Sequence, residues 1–449
     1  MKKSTLIVLA LAIIAGAAFY FFDWKPNGKD GDKKSSADKT KPAFTFQPDD
    51  VSSIAISHPG DPGAQSIHLA RRNADWQITQ PLTALAENAT VSGIAQALSN
   101  AHIEDTEPGT PDRLKQYGLD PAAVTIEFEL ANGTKHSVQL GKKDFVGTSV
   151  YSKIDSNKDV SLLPESLLGL TGKSLDEYRD HAVLHAHTDQ IASIDLKNAS
   201  GEIALAKDGQ NWKFSKPQTT LADSSAVDEL LAAVTGGKFA TVAAETSDDL
   251  AKYGLATPAI TFTTTDAKGK SSTLIVGKKD GDMYFAREES LPEIFRITAD
   301  LQKKLSESFA DLRDKKVVHF DPATITHIDF FQNANGSISL TRKNEDEWTF
   351  DAPADVKGKS ASAEKILATV EAARAEEVLD TPPAAISAKL AKPAFQSTFA
   401  FKDGKKLSVA ISAAAGDFVY ARTSDSATIY KLKKAILDDL NLKPTDLLL

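Results

Sequence analysis

One pattern is written three times in this chain, and that repetition limits the possible folds more than any other feature. Trp76, Trp212 and Trp348 recur at an interval of 136 residues, as do Tyr117 and Tyr253, and so do the GKKD segments opening at Gly141 and Gly277. Each copy opens on a period-two run, VSSIAIS, IASIDLK or ITHIDFF, which predicts a half-buried strand. A polar turn leads to SIHLAR, EIALAK or SISLTR, and a second turn to the strand carrying the tryptophan. Three strands joined by tight turns predict an antiparallel meander. The chain then passes a proline (Pro81, Pro217, Pro353) into ENATVSGIAQALSN, DSSAVDELLAAVTG or SASAEKILATVEAA. Apolar residues three and four apart predict one main helix there, with N-caps at Asp223 and Ser360.

A second hairpin follows, turning on Asn132-Gly133, Lys268-Gly269 and Asp403-Gly404. After it come a tyrosine strand (VYSK, MYFAR, VYAR) and a short helical stretch. Between the helix and this hairpin lies Tyr-Gly-Leu with a proline close behind, at Tyr117-Gly118-Leu119 and Tyr253-Gly254-Leu255. Its glycines suit a left-handed helix end, Pro121 and Pro258 stop the helix, and the tyrosine and leucine are expected under the sheet. In the third copy the corner reads as Lys389-Leu390-Ala391 before Pro393. A packing corner can drift in this way, whereas a catalytic motif has to keep its functional groups.

The expected fold class is therefore α+β, with three tandem homologous strand-rich modules, each with antiparallel hairpins and one main helix. Modules at 44–180, 181–314 and 315–449 follow a membrane anchor at 1–24 and a tether at 25–43. The length of 449 residues suits several cores better than one. Junctions are short, Arg179-Asp180 running into HAVLHAH and Arg313-Asp314 into KKVVHFD, which predicts a stiff array.

Residues 4–22 (STLIVLALAIIAGAAFYFF) carry no charge and reach the length needed to span a bilayer. The run outlasts an ordinary signal-peptide core, which favours an uncleaved anchor over a cleaved signal. Lys2 and Lys3 hold the N-terminus inside, and Trp24 suits the far interface. Residues 25–43 are Lys, Asp, Gly, Ser and Pro with little to bury, the composition of a hydrated tether. The chain has no cysteine, which removes disulfides, thiolate metal sites and a lipoprotein attachment point. An exported, cysteine-free chain fits a bacterial periplasm, with residues 4–22 in the inner membrane as a single-pass signal anchor. A formal net charge of -9 argues against nucleic acid as a partner.

With its N-terminal apolar segment, Trp-x-apolar strands ahead of a proline, Tyr-Gly-Leu-x(1–2)-Pro corners and Tyr strands, the chain resembles a family of uncharacterised bacterial envelope proteins built from a repeated domain of unknown function. The resemblance covers residues from about 44 to the C-terminus. Members are often encoded beside gliding-motility-type ABC transporter genes, which implies an envelope or transport-associated role. No catalytic residue is known for the family, so the resemblance implies none here.

Segments that mimic known chemistry read as structure. GLTGKS at 169–174 lacks the P-loop spacing, since Leu167 stands five before Gly172; a helix C-cap at Gly172 and an N-cap at Ser174 explain it. His181, His185 and His187 could offer three imidazoles, but they lie along one expected linker strand, too nearly collinear to converge on a tetrahedral ion. Glu127 and Glu129 share one strand face opposite Ile126 and Phe128, as on a solvated sheet. The tryptophans are expected in the cores. No catalytic, cofactor-binding or metal residue is assigned, and no cofactor. The expected function is non-enzymatic: a membrane-anchored periplasmic scaffold or accessory subunit of an envelope or ABC-transport-type assembly, with envelope membrane proteins as partners. The alternatives are a binding protein for cell-wall glycan or another envelope polymer, or an enzyme with an unrecognised site.

Overall fold

The computed structural model describes residues 41–59, 61 and 66–449. The expected anchor and most of the expected tether lie outside the described residues. Among the described residues no helix is long and apolar enough to cross a membrane. The tether was expected to run to residue 43, yet Lys41 and Pro42 already pair with Ile103 and His102, and the Ala43 amide donates to the Ala101 carbonyl at 2.8 Å. Phe44 explains the earlier start: it is buried, edge-on to Phe128 at 5.2 Å.

The chain divides into two compact units, Met1–Asp180 and His181–Leu449. In the first, one nine-stranded sheet runs in space as Ala84–Leu85, Asp75–Gln80, Ile67–Arg72, Val51–Ser57, Val124–Leu130, Lys135–Lys143, Ser149–Ile154, Val160–Pro164 and Thr106–Glu107. Every neighbour is antiparallel. The expected meander and the later hairpin thus join through their first strands, Ile54 lying opposite Phe128. The second unit repeats this order twice, once within residues 191–298 and once within 325–433. Each sheet holds more strands than the sequence patterns indicate, because the outermost pairs are two to five residues long and too short to show a period.

One main helix per copy covers one sheet face: Asn88–Ser99, Ser224–Thr235 and Glu364–Ala372. Val227, Leu230, Leu231 and Val234 keep the three- and four-residue spacing and are all buried. Asp223 caps the second helix, accepting from the Ser225 and Ala226 amides. Ser360 does not cap the third. It lies in the strand Ser360–Ala361, opposite Thr349, and its hydroxyl donates to Glu347 at 2.6 Å; the helix begins after Ala363. Trp76, Trp212 and Trp348 are 1%, 1% and 2% exposed, at the centre of these cores. A cation from the preceding strand covers each ring: Arg71 at 5.0 Å, Lys207 at 5.3 Å and Arg342 at 4.5 Å.

The Tyr-Gly-Leu corner lies on the opposite face of the sheet from the main helix. Along Ser271–Asp280, Leu274 and Val276 enter the helix-side core, while Ile275 points the other way and meets Tyr253, Leu255, Phe285 and Ile294. Gly254 turns with φ +71°, and Gly277 passes so close beneath that a Cβ there would stand 2.2 Å from the Tyr253 carbonyl oxygen. Gly118 and Gly141 make the same pair in the first copy. The two sequence repeats, Tyr-Gly-Leu and GKKD, are therefore the two halves of one contact.

Register corrects two sequence alignments. The Ala123, Ala259 and Ala394 amides donate to Leu140, Val276 and Ile411, so Ala388-Lys389-Leu390, one residue earlier than expected, occupies the corner in the third copy. Leu390 stays buried, Lys389 ends a helical turn, and Ser412 replaces the close-approach glycine. In the tyrosine strands, Tyr151 and Tyr420 match Phe285, because Ser152, Ala286 and Ala421 face Leu140, Val276 and Ile411. Tyr284 is one step off and points into the main core instead.

Candidate functional site

The corner covers only the half of the outer face that belongs to the later hairpins. The rest of that face, over the first meander and the hairpin strands next to it, lies outside the corner, and there the copies differ. In the first copy small side chains, Ser53, Ala55, Ala70 and Ser137, floor a groove of about 480 Å³ walled by His68, Thr79, Glu127, Glu129 and Lys135. Lys135 lies 3.6 Å from Glu129. The His136 Nδ1 lies 3.0 Å from Asp155 and its ring packs on Phe44 and Phe128, so it is held at the groove's edge as a structural residue. Glu127 and Glu129 lie on the outer face, as their alternation predicts.

Over the later hairpin the same face carries cross-strand hydroxyl pairs in two copies, Thr263 with Thr273 at 3.0 Å and Thr265 with Ser271 at 2.9 Å in the second and Thr398 with Ser408 at 2.8 Å in the third. Over the first meander the third copy carries His327, and here a serine, a histidine and two aspartates meet. Ser339 Oγ lies 3.3 Å from His327 Nε2, but Asp329 lies 3.1 Å from the same nitrogen. Nδ1 faces Thr341 at 2.9 Å and Asp351 only at 3.7 Å. A general base must keep Nε2 unprotonated toward the hydroxyl; a carboxylate on Nε2 favours the opposite tautomer. The arrangement is a hydrogen-bonded surface cluster and has no activated nucleophile. Its residues are scattered over three strands, so sequence spacing did not reveal it.

The histidine run does not form the expected strand. Among residues 181–187 only Ala182 makes a ladder-type bridge, to Lys238, and the chain bends after it. The His181 ring stacks edge-on to Phe239 at 4.7 Å. The His185 Nδ1 lies 2.6 Å from the buried Glu288, whose carboxylate also accepts the His185 amide. His187 is exposed at the start of a short turn. Among the described residues no group of three His, Asp or Glu side chains is placed to hold a metal ion. In GLTGKS, Gly172 ends the helix Ser166–Thr171 and Ser174 begins Leu175–Tyr178. The Ser174 amide and hydroxyl donate to Glu177 at 2.8 Å and hold its carboxyl below the ordinary range, so a carboxylate already occupies the position a phosphate would take.

The corner and the junction carry the other perturbed groups. The Tyr117 hydroxyl donates to Glu107, which raises the phenol's pKa, and the ring stacks on Tyr151 at 3.9 Å. Within the second unit Arg313 forks onto Asp380 at 2.5 and 2.6 Å, and this hydrogen bond, helped by Gln218, holds the Asp380 carboxyl below its ordinary range. Arg374 reaches the helix cap Asp223 at 2.8 Å. These contacts tie the second copy to the third. Burial pushes Asp314 upward, but the hydrogen bond from His319 and the Lys316 amide outweigh it, and the net shift is down.

The model of one protein family, the Domain of unknown function DUF4340, matches the chain twice, over residues 76–221 and 212–393. The chain belongs to this family. Each match begins on a tryptophan, Trp76 or Trp212, and runs into the next copy, so the family's sequence unit straddles two sheets. The second match stops at Pro393, just past the altered corner. No curated protein matches the sequence. A repeated domain of unknown function, as the resemblance implied, is thereby shown for this chain, and DUF4340 by itself names no substrate or partner.

Proposed function

We propose that the chain is a membrane-anchored periplasmic scaffold or accessory subunit of an envelope or ABC-transport-type assembly, with no turnover of its own. The carrying observation is the contrast between what repeats and what does not. Packing positions recur: the tryptophans, the cations over them, the corner leucines. The polar groups on the outer face of the first meander change at matching positions: the facing pair Ala55 and His68 of the first copy becomes Asp195 and Ala204 in the second and Asp329 and Ser339 in the third, and Ser53 and Ser193 become His327. Chemistry needs a fixed polar constellation, whereas a presenting surface needs a fixed frame with variable faces. Residues 4–22 supply the attachment in this reading, and the transport link rests on the family resemblance.

A second reading, binding of a cell-wall glycan or another envelope polymer, draws on the groove of the first copy. It cannot use Trp76, Trp212 or Trp348 as a sugar platform, because each is buried. Crosslinking in living cells followed by detergent solubilisation and pull-down tests the proposal: recovery of transporter or other envelope membrane proteins supports it. Replacing residues 4–22 with a cleavable signal should abolish complementation. Full complementation by the released chain, or retention of that chain on purified cell wall, would overturn the scaffold reading.

A further inference from the structure

The most exposed large apolar side chains among the described residues are neighbours, Phe145 at 105% and Val146 at 74%. They sit at the tip of the loop between Lys135–Lys143 and Ser149–Ile154. The first copy has built this loop out. Gly141 and Tyr151 stand ten residues apart, whereas the matching pairs Gly277 and Phe285, and Ser412 and Tyr420, stand eight apart. The extra length carries the apolar pair, and the second copy has Gly281-Asp282 in its place.

The tip is preformed. Asp144 accepts from the Val146 amide at 3.3 Å, the Gly147 amide at 2.8 Å and the Ser149 amide at 3.0 Å, and its own amide donates to the Ser149 carbonyl. Those bonds pair the Val146, Gly147 and Ser149 amides within the loop while the Phe145 and Val146 side chains stand exposed. Pairing those amides in advance lowers the cost of bringing the tip to an apolar medium, where an unpaired N–H is costly. The two lysines before Asp144, Lys142 and exposed-side Lys143, place cations at the loop's base, Lys143 lying 2.6 Å from Glu165.

We propose that the Phe145-Val146 tip inserts into the lipid interface of the membrane that holds the chain, fixing the first module against the bilayer; this rests on the anchored reading above. Two convex side chains are far too little for a stable protein interface, which buries roughly 1,200–2,000 Å², but they suffice as a second contact for an already attached chain. Residues 23–40 separate the apolar run from Lys41 and span at most about 60 Å. A module of this size has a radius of gyration near ~14 Å, so any of its faces can reach the bilayer and the tip selects one. Among the described residues only the first copy, the one nearest residues 4–22 in sequence, carries such a tip.

The absence of cysteine makes the test direct. Single-cysteine variants of the full chain, Phe145→Cys, Asn132→Cys and Asp403→Cys, are spin-labelled and reconstituted in vesicles of phosphatidylethanolamine and phosphatidylglycerol. The label at 145 should lose accessibility to an aqueous nickel chelate and gain accessibility to oxygen, while those at 132 and 403 stay aqueous. A label at Thr148 should move toward water when Phe145 and Val146 are both changed to Ser. If the chain resists alkaline extraction but the label at 145 is as aqueous as that at 132, the tip proposal is overturned and the anchor stands. Protection of position 145 in native membranes but not in protein-free vesicles would also overturn it, in favour of a protein partner. Release of the chain by alkaline extraction overturns the anchored reading and the tip with it.

Discussion

The second and third copies lie in one unit and share a core plan, yet they turn the same corner differently. In the second, Tyr253 packs on Phe285, Gly254 takes a left-handed turn and Gly277 makes room for the Tyr253 carbonyl. In the third, Ala388 and Lys389 replace Tyr and Gly, Ser412 replaces the second glycine, and the Lys389 ammonium lies 5.4 Å from the Tyr420 ring. Only the leucine and proline are kept. The three changes belong together. Once the chain no longer takes the left-handed turn over the neighbouring strand, no glycine is needed beneath it, and Ser412 can use its hydroxyl to accept from the Tyr420 amide at 3.0 Å. Two residues 23 positions apart in the second copy (Gly254 and Gly277) are thus one structural choice.

The cores serve as the control for this comparison and carry the largest expected effect. Trp212→Ala and Trp348→Ala should each cost roughly 3–5 kcal/mol, the range for truncating a buried large aromatic. Chemical denaturation followed by hydrogen exchange should locate each loss in its own copy. Unequal costs in the two copies would show that the cores are not equivalent after all.

Next come the close-approach positions. Gly277→Ala should destabilise the second copy by about 1–3 kcal/mol or more, since backbone must move to admit the methyl group. Ser412→Ala should cost only its hydrogen bonds, about 0.5–1.5 kcal/mol. Equal costs would break the argument that the corner demands glycine in one copy and not the other. Gly254→Ala follows at about 1–2 kcal/mol for a left-handed non-glycine residue, whereas Lys389→Ala, in a right-handed turn, should fall within about 0.5 kcal/mol of the parent. Melting temperatures of the four variants measure all of these.

The link between the two copies should respond to acid. Arg313 holds the Asp380 carboxyl below its ordinary range, so the folded state favours the carboxylate more than the unfolded state does. That contribution is complete above the ordinary Asp pKa and is lost as pH falls through the depressed folded value. Arg313→Met should therefore lower stability at neutral pH and flatten its fall in the acid range. An unchanged acid profile would remove this pair from the junction's stability. Smallest of all, His327→Ala on the outer face should alter stability by no more than about 0.5 kcal/mol, and a larger loss would mean that the third copy's surface cluster supports its sheet.

Much of the fold was legible because periodicity is a local property. The strands around Ile54, Ile194 and Ile328, the helix over Val227 to Val234 and the burial of the tryptophans all follow from which residues alternate or recur every three or four positions. The misreadings share a cause as well. Ser360 looks like a cap, but a capping residue is defined by the backbone that follows it, and a strand partner, Thr349, claimed Ser360 first. Tyr284 looks like the partner of Tyr151, but register is set by cross-strand hydrogen bonds, and one step sends it to the other face. His181, His185 and His187 look like one row because they are close in sequence, yet each is taken by a different neighbour: Phe239, Glu288 and solvent.

By itself the sequence determined the number of copies, their order, the lack of cysteine chemistry and the apolar run at residues 4–22, since all of these are written in composition and interval. Tertiary structure alone decided that Tyr-Gly-Leu and GKKD form one contact, that this contact covers the face away from the helix, and that Ser339, His327 and Asp329 meet without becoming a catalytic triad. Each of those depends on which distant strands lie side by side, and a pairing between strands leaves no mark on the local pattern of either one.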